Sequence, residues 1–161
     1  MQFEMKVKGL MLDPSTQTPI LILRDPEVES RILPVWIGIF EANAIAARIE
    51  NIEPPRPMTH DLLKRVINAM DGVVTKVVIS DLKDHTFFAV IFLLVNGREV
   101  QVDSRPSDAI AVALRSEAPI FVEDSVIEKA QALDATEERD EKLKKWLSDL
   151  GPEDLGSKYE M

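Results

Sequence analysis

The chain has 161 residues, 45 % of them apolar, and 28 acidic side chains against 19 basic ones give it a net charge of −9. That composition builds one core of ordinary domain size, and the absence of cysteine removes disulfides, thiolate zinc sites and cysteine nucleophiles together. No apolar run approaches the roughly 18 residues a bilayer span needs. Residues 1–6 lack the charged-then-apolar pattern of a secretory leader. A cytoplasmic protein with no membrane partner is therefore expected. Residues 123–161 hold 12 acidic and 6 basic side chains, so most of the excess charge lies in the tail. The remainder shows no dense basic patch, which argues against tight nonspecific duplex binding but leaves room for local phosphate recognition.

Along the chain, Phe3, Met5 and Val7 alternate with Glu4, Lys6 and Lys8, the pattern of a half-buried strand. Asp13-Pro14-Ser15-Thr16-Gln17 reads as a turn, Ile20 to Leu23 as a buried strand ended by Asp25-Pro26, and Arg31 to Ile37 as a third strand. Pro34 places that third strand at a sheet edge or a bulge. Gly38 leads into a helix over 39–51, with Ile37, Phe40, Ala44, Ile45 and Ile49 expected inward. Glu53-Pro54-Pro55-Arg56-Pro57 cannot be helical, because proline lacks the donor and fixes φ. Thr59 is the expected N-cap of a helix over 60–70, whose apolar stripe is Leu62, Leu63, Val66, Ile67 and Met70.

Val73–Leu82, Thr86–Val95 and Arg98–Val102 then form a three-stranded meander, turning at Asp84-His85 and at Asn96-Gly97. Asn-Gly suits a type I′ turn, which requires φ > 0 at both central residues. A helix capped by Ser104 or Arg105, with Pro106 in its first turn, follows. Pro119 to Val122 reads as a short strand and 125–133 as a helix opened by Asp124. Asp134 with Glu137 suggests the capping box of a last helix ending at Gly151-Pro152. These elements predict an α+β domain over 1–130, with a mixed, mostly antiparallel sheet, the meander and packed helices. Residues 131–161 form an acidic helical tail. The order does not follow the alternation of a doubly wound sheet.

Two polar knots at helix starts carry the chemistry. Asp103-Ser104-Arg105-Pro106-Ser107-Asp108 offers two carboxylates, a guanidinium and two hydroxyls where a strand leaves and a helix begins, a rim suited to anions. Arg105 can grip a phosphate bidentately. Asp103 and Asp108 can together bind a divalent cation through oxygen, or can serve the helix dipole with Asp103 pairing to Arg105. Upstream, Arg56-Pro57-Met58-Thr59-His60-Asp61 contains a histidine, whose imidazole ordinarily titrates near about pH 6.5 and suits proton transfer. Asp61 either orients it or caps its helix. Glu41 and Arg48 share a helical face, as do Asp108 and Arg115. They border a pocket or form solvated stripes. Asp71, Asp81 and Lys83 mimic the acid and lysine spacing of some metal-dependent nucleases, but the pattern is short and lies near a hairpin tip. P-loop, dinucleotide-binding, nucleophile-elbow and zincin motifs are absent.

Leu33-Pro34-Val35-Trp36-Ile37-Gly38 with Glu41-Ala42, then Arg56-Pro57-Met58-Thr59-His60-Asp61-Leu62, then Asp103-Ser104-Arg105-Pro106-Ser107-Asp108-Ala109-Ile110-Ala111, resemble the bifunctional nuclease domain over about residues 1–130. The resemblance implies an α+β domain with a mixed sheet and an activity on the phosphodiester bonds of DNA, RNA or both. A partner-binding helical motif found after this domain in some family members has no convincing copy in 131–161.

The expected site assigns His60, Asp61, Asp103 and Asp108 to catalysis. Arg56, Arg105, Ser107 and Arg115 would bind substrate. Glu41, Asp103 and Asp108 would hold a divalent cation such as Mg²⁺ or Mn²⁺. The competing expectation is a noncatalytic module that binds an anion or a partner, with the same knots building a subunit interface near Trp36 and Phe40. A homo-oligomer, most often a twofold dimer, is expected in either case.

Overall fold

The computed structural model describes residues 1–136, with side chains to residue 133. Its elements in chain order are β1 (Gln2–Leu12), β2 (Pro19–Arg24), β3 (Ile32–Trp36), α1 (Ile39–Ile49), α2 (Thr59–Ala69), β4 (Gly72–Lys83), β5 (Thr86–Val95), β6 (Arg98–Ser104), α3 (Pro106–Ser116), β7 (Ile120–Glu123) and α4 (Asp124–Thr136). The described strands form one sheet in the order β3-β2-β1-β7-β4-β5-β6. Only β4 and β7 pair in parallel, and the other neighbours run antiparallel, so the expected mixed, mostly antiparallel α+β class is observed.

Local chemistry sets this order. Asp84 and His85 take φ of 50° and 62°, and Asn96 and Gly97 take 51° and 76°, so both meander turns are of the left-handed kind that matches strand twist. Pro34 lies in β3, at the edge, where its missing donor costs little. The four-residue β7 slots between β1 and β4 and joins the N-terminal strands to the meander. Every residue from Ile20 to Leu23 is buried, so β2 is covered on both faces. Leu21 and Leu23 join the main core with Met5, Leu33, Val77 and Ile110, whereas Ile20 and Ile22 lie outside it.

The helix α3 is the centre of the helical layer. Ala109, Ile110, Ala111, Val112 and Ala113 are each fully buried, and α3 packs on α1, α2, β4 and β5. The small side chains let α1 approach closely through Ala42, Ile45 and Ala46. This corrects the expected inward face of α1: Phe40 is 81 % exposed and Ile49 is 41 % exposed. A larger correction concerns α2. Its expected core stripe is largely outside, with Leu62, Leu63, Val66 and Met70 between 39 % and 69 % exposed. The layer against the sheet is already filled by α3, so α2 packs through its first turn and Ile67, and His60 is its buried residue.

Thr59 does not cap α2 but is its first helical residue, and the cap position falls to Met58. Arg105 takes the cap position of α3, with Pro106 at the first helical place as expected. The helix α4 runs through Asp134, which was expected to cap a last helix; that helix lies outside the described residues. No described helix is long and apolar enough to cross a membrane.

Candidate active site

Three helix starts converge on one cleft. Gly38 precedes α1, and Glu41 projects from that helix's first turn. His60 and Asp61 stand in the first turn of α2, and Arg105 and Asp108 at the start of α3. Gly38 leaves room for this arrangement, because a Cβ there would displace the Glu41 carboxylate from its present position. The two sequence knots therefore meet in space, and the first helix adds a third member.

The polar centre is a continuous hydrogen-bonded chain. His60 Nε2 lies 2.8 Å from Asp108 Oδ1. Arg105 Nε donates to Asp108 Oδ2 at 2.9 Å and its Nη2 donates to Glu41 Oε1 at 2.6 Å. A carboxylate only accepts hydrogen bonds, so Nε2 of His60 carries the proton in this contact and the neutral ring keeps its lone pair on Nδ1. That second nitrogen has no hydrogen-bond partner among the described residues. Glu41, then Asp108, hold the Arg105 guanidinium still more firmly protonated than usual. Arg105 remains 63 % exposed, and its Nη1 bonds to no described residue.

A second chain lies beneath the first. Arg115 Nε donates to Asp61 Oδ1 at 2.6 Å, Nη1 to the Ala111 carbonyl at 2.9 Å and Nη2 to the Ala44 carbonyl at 3.0 Å. Asp61 Oδ2 accepts the Met58 N–H at 2.9 Å, which closes the start of α2. Burial opposes the charge on Asp61, but the Met58 N–H and the Arg115 guanidinium outweigh it and hold the carboxyl below its ordinary range. The Arg115 side chain is 8 % exposed and ties α1, α2 and α3 together. Arg48, seven residues after Glu41 on α1, donates from Nε to the Leu114 carbonyl at 3.3 Å and lines the neighbouring depression rather than the cleft.

These groups open onto a cavity of about 1020 Å³ whose wall is mostly apolar, including Phe40, Phe87, Phe88 and Ile91. The cleft holds both titratable and aromatic walls, as binding sites for small organic groups commonly do. Asp103 lines the same cavity from the end of β6 but joins neither hydrogen-bonded chain. Ser107 is buried and lies off the cavity wall. Arg56 lies in a neighbouring depression rather than in the cleft. Asp81 is held by Lys129 at 2.7 Å and Lys83 at 3.3 Å, so the short nuclease-like spacing there is a surface ion-pair cluster.

A divalent cation needs several oxygen donors gathered about one point. Among the described residues no three His, Asp or Glu side chains gather in a metal-holding group. Arg105 itself sits between Glu41 and Asp108, so a guanidinium already neutralises the two carboxylates that a cation would bridge. In this arrangement the residues do not fit a metal.

Sequence reasoning missed the aromatic wall and the backbone acceptors. Phe40 had a signal, since it directly precedes Glu41 at a helix start. The Ala44 and Ala111 carbonyls had none, because no side chain marks a carbonyl that accepts from a distant arginine.

The chain is similar in sequence to several known proteins. The family model described as the bifunctional nuclease domain matches residues 21–134. An uncharacterized protein of Mycobacterium tuberculosis is 39 % identical over 163 residues, covering 94 % of this chain and 97 % of that protein. Bifunctional nuclease 2 of Oryza sativa subsp. japonica is 29 % identical over 122 residues, which cover 74 % of this chain and 38 % of the plant protein. Bifunctional nuclease 1 of Arabidopsis thaliana is 28 % identical, covering 65 % of this chain and 33 % of its own length.

Proposed function

The chain belongs to the bifunctional nuclease domain family, and from that premise we propose that its cleft hydrolyses phosphodiester bonds of DNA or RNA. The observation that carries this reading is the Asp108–His60 contact at 2.8 Å beside a half-free guanidinium. Asp108 orients the ring and stabilises the imidazolium that forms when Nδ1 takes a proton from water. The water oxygen bonds to phosphorus, the P–O bond to the leaving sugar oxygen breaks, and the imidazolium returns the proton to that oxygen. The free Nη1 of Arg105 binds a nonbridging phosphate oxygen and stabilises the added charge in the transition state. Phe40, Phe87 and Phe88 supply faces on which a base stacks.

Glu41 and Asp61 act on position. Glu41 holds Arg105, and Asp61 joins Arg115 to fix the start of α2 from which His60 projects. Asp103 lines the same cavity. No step uses a metal.

The experiment is cleavage of labelled single-stranded DNA and RNA with Mg²⁺, Mn²⁺ or chelator, using wild type, His60→Ala and Asp108→Ala. Cutting that survives chelation and is lost in both variants supports the reading. Cutting that needs a metal replaces the metal-free mechanism. Undiminished cutting in both variants reveals a contaminant. No cutting at all, with a melting temperature raised by phosphate, favours a binding module.

The exposed stripe of Leu62, Val66 and Met70 on α2 supports a second copy as partner, since apolar stripes of this kind are usually covered. A twofold dimer follows, and light scattering that returns the mass of one chain at micromolar concentration contradicts it. The cysteine-free composition is consistent with action in the cytoplasm.

A further inference from the structure

Beside the cleft lies a second depression of about 460 Å³. Five of its lining side chains are cationic, against the two carboxylates of Glu53 and Asp61, in a chain whose net charge is −9. Arg48 and Arg115 spend donors on carbonyls and on Asp61. Arg56, Lys64 and Arg65 form no hydrogen bond or salt bridge among the described residues. The Asp61 carboxylate feels the charge of Arg65, while Arg56 and Lys64 have no ion-pair partner among the described residues; like charges gathered in one concavity repel one another, and a bound anion relieves that repulsion.

The two hollows are contiguous, because Ile52, Pro54, Asp61 and Arg115 line both. Helix α2 links them: His60 faces the cleft and Lys64, one turn later, faces the depression. The four residues from one to the other rise about 6 Å along the axis, a step of the order of the spacing between successive phosphates of one strand.

We propose that this depression is a second phosphate subsite, which holds the backbone of a single-stranded nucleic acid beside the phosphate in the cleft. The proposal rests on the reading of the cleft as a phosphodiester site. It makes the preferred ligand a strand rather than a mononucleotide or an isolated dinucleotide. A duplex is disfavoured, because the cationic surface is one small hollow rather than a face or stripe.

The test is binding, read by fluorescence anisotropy, of a labelled dinucleotide and a labelled single-stranded dodecamer. The proteins are wild type and the Arg56→Ala/Lys64→Ala/Arg65→Ala triple variant, with thermal unfolding as the check on folding. Wild type is expected to bind the dodecamer at least about ten-fold more tightly than the dinucleotide, and the triple variant to bind the two alike. Removing three phosphate contacts should also lower the slope of log affinity against log salt by about 2. Unchanged dodecamer affinity in the triple variant overturns the proposal, as does equally strong competition from an acidic peptide of the same charge. Cleavage takes no part in this measurement. A length effect without cutting retires the catalytic reading and keeps the subsite, whereas cutting without a length effect does the reverse.

Discussion

Helix α3 carries an arginine near each end, and the two guanidiniums sit in opposite surroundings. Arg105, at the N-terminal cap, bonds to two carboxylates and is 63 % exposed at the mouth of the cleft. Arg115, in the last turn, spends its donors on one carboxylate and two carbonyls and is 8 % exposed. The same side chain thus serves two purposes within one helix. Solvent access leaves donors of Arg105 for a ligand. Burial makes Arg115 a clamp whose removal would strand Asp61 in a poorly hydrated site.

The comparison predicts a division between activity and stability. The largest effect should come from the proton carrier beside Arg105: His60→Ala lowers phosphodiester cleavage by about 10²- to 10⁴-fold, while its thermal midpoint stays within a few degrees of wild type. Arg105→Ala should follow the same pattern, losing most cleavage at a smaller stability cost than Arg115→Ala, because Arg105 is itself 63 % exposed although its partner Glu41 is 15 % exposed. A large fall in its unfolding free energy would make Arg105 structural.

Arg115→Ala should do the reverse. Breaking a mostly buried pair costs about 3 kcal/mol, measurable as a lower urea midpoint at unchanged slope. Gly38→Ala probes the link between the regions, because the new methyl meets the Glu41 carboxylate that anchors Arg105. It should reduce kcat/KM by about ten- to a hundred-fold through misplacement, with a smaller change in stability than Arg115→Ala.

The smallest effect is one of pH. Asp61 has a folded pKa below its unfolded value near about 3.9. Its stabilising contribution is therefore complete above that value and is lost as pH falls through the folded pKa. Asp61→Asn should destabilise at pH 7, and the gap to wild type should shrink as the solution is acidified below pH 4. Asp13 and Asp81, each held down to about 2, add to the wild-type loss in that same acid window. A gap that stays constant from pH 7 to pH 2 contradicts the assignment.

The sequence was most legible where chemistry is local. Asn96-Gly97 demands a left-handed turn, Pro106 a helix start and Pro34 an edge, and each is found where expected. It was least legible where one helix competes with another for the same layer. The stripe Leu62, Leu63, Val66 and Met70 has the periodicity of a core face, yet α3 already fills the core with alanine and isoleucine. Periodicity states that a helix has an apolar side, not which neighbour covers it.

The site shows the same division. His60, Asp108, Arg105 and Glu41 were all marked by sequence, but their order of contact was not. Arg105 was read as a phosphate grip or, alternatively, as a partner of Asp103, and it bridges Asp108 to Glu41, which stands 64 positions earlier. Arg115 was a candidate for a phosphate contact, and its backbone acceptors are invisible until the helices are placed. Long-range pairing of this kind follows from packing, which spacing along the chain does not encode.

The central claim is that Asp108 and His60 work as one unit. A double-mutant cycle tests it: cleavage rates of His60→Ala, Asp108→Asn and the combined variant, all measured in chelator. If the carboxylate acts through the imidazole, the double variant is no slower than His60→Ala alone. Losses that multiply in the double variant would show two independent groups and contradict the account.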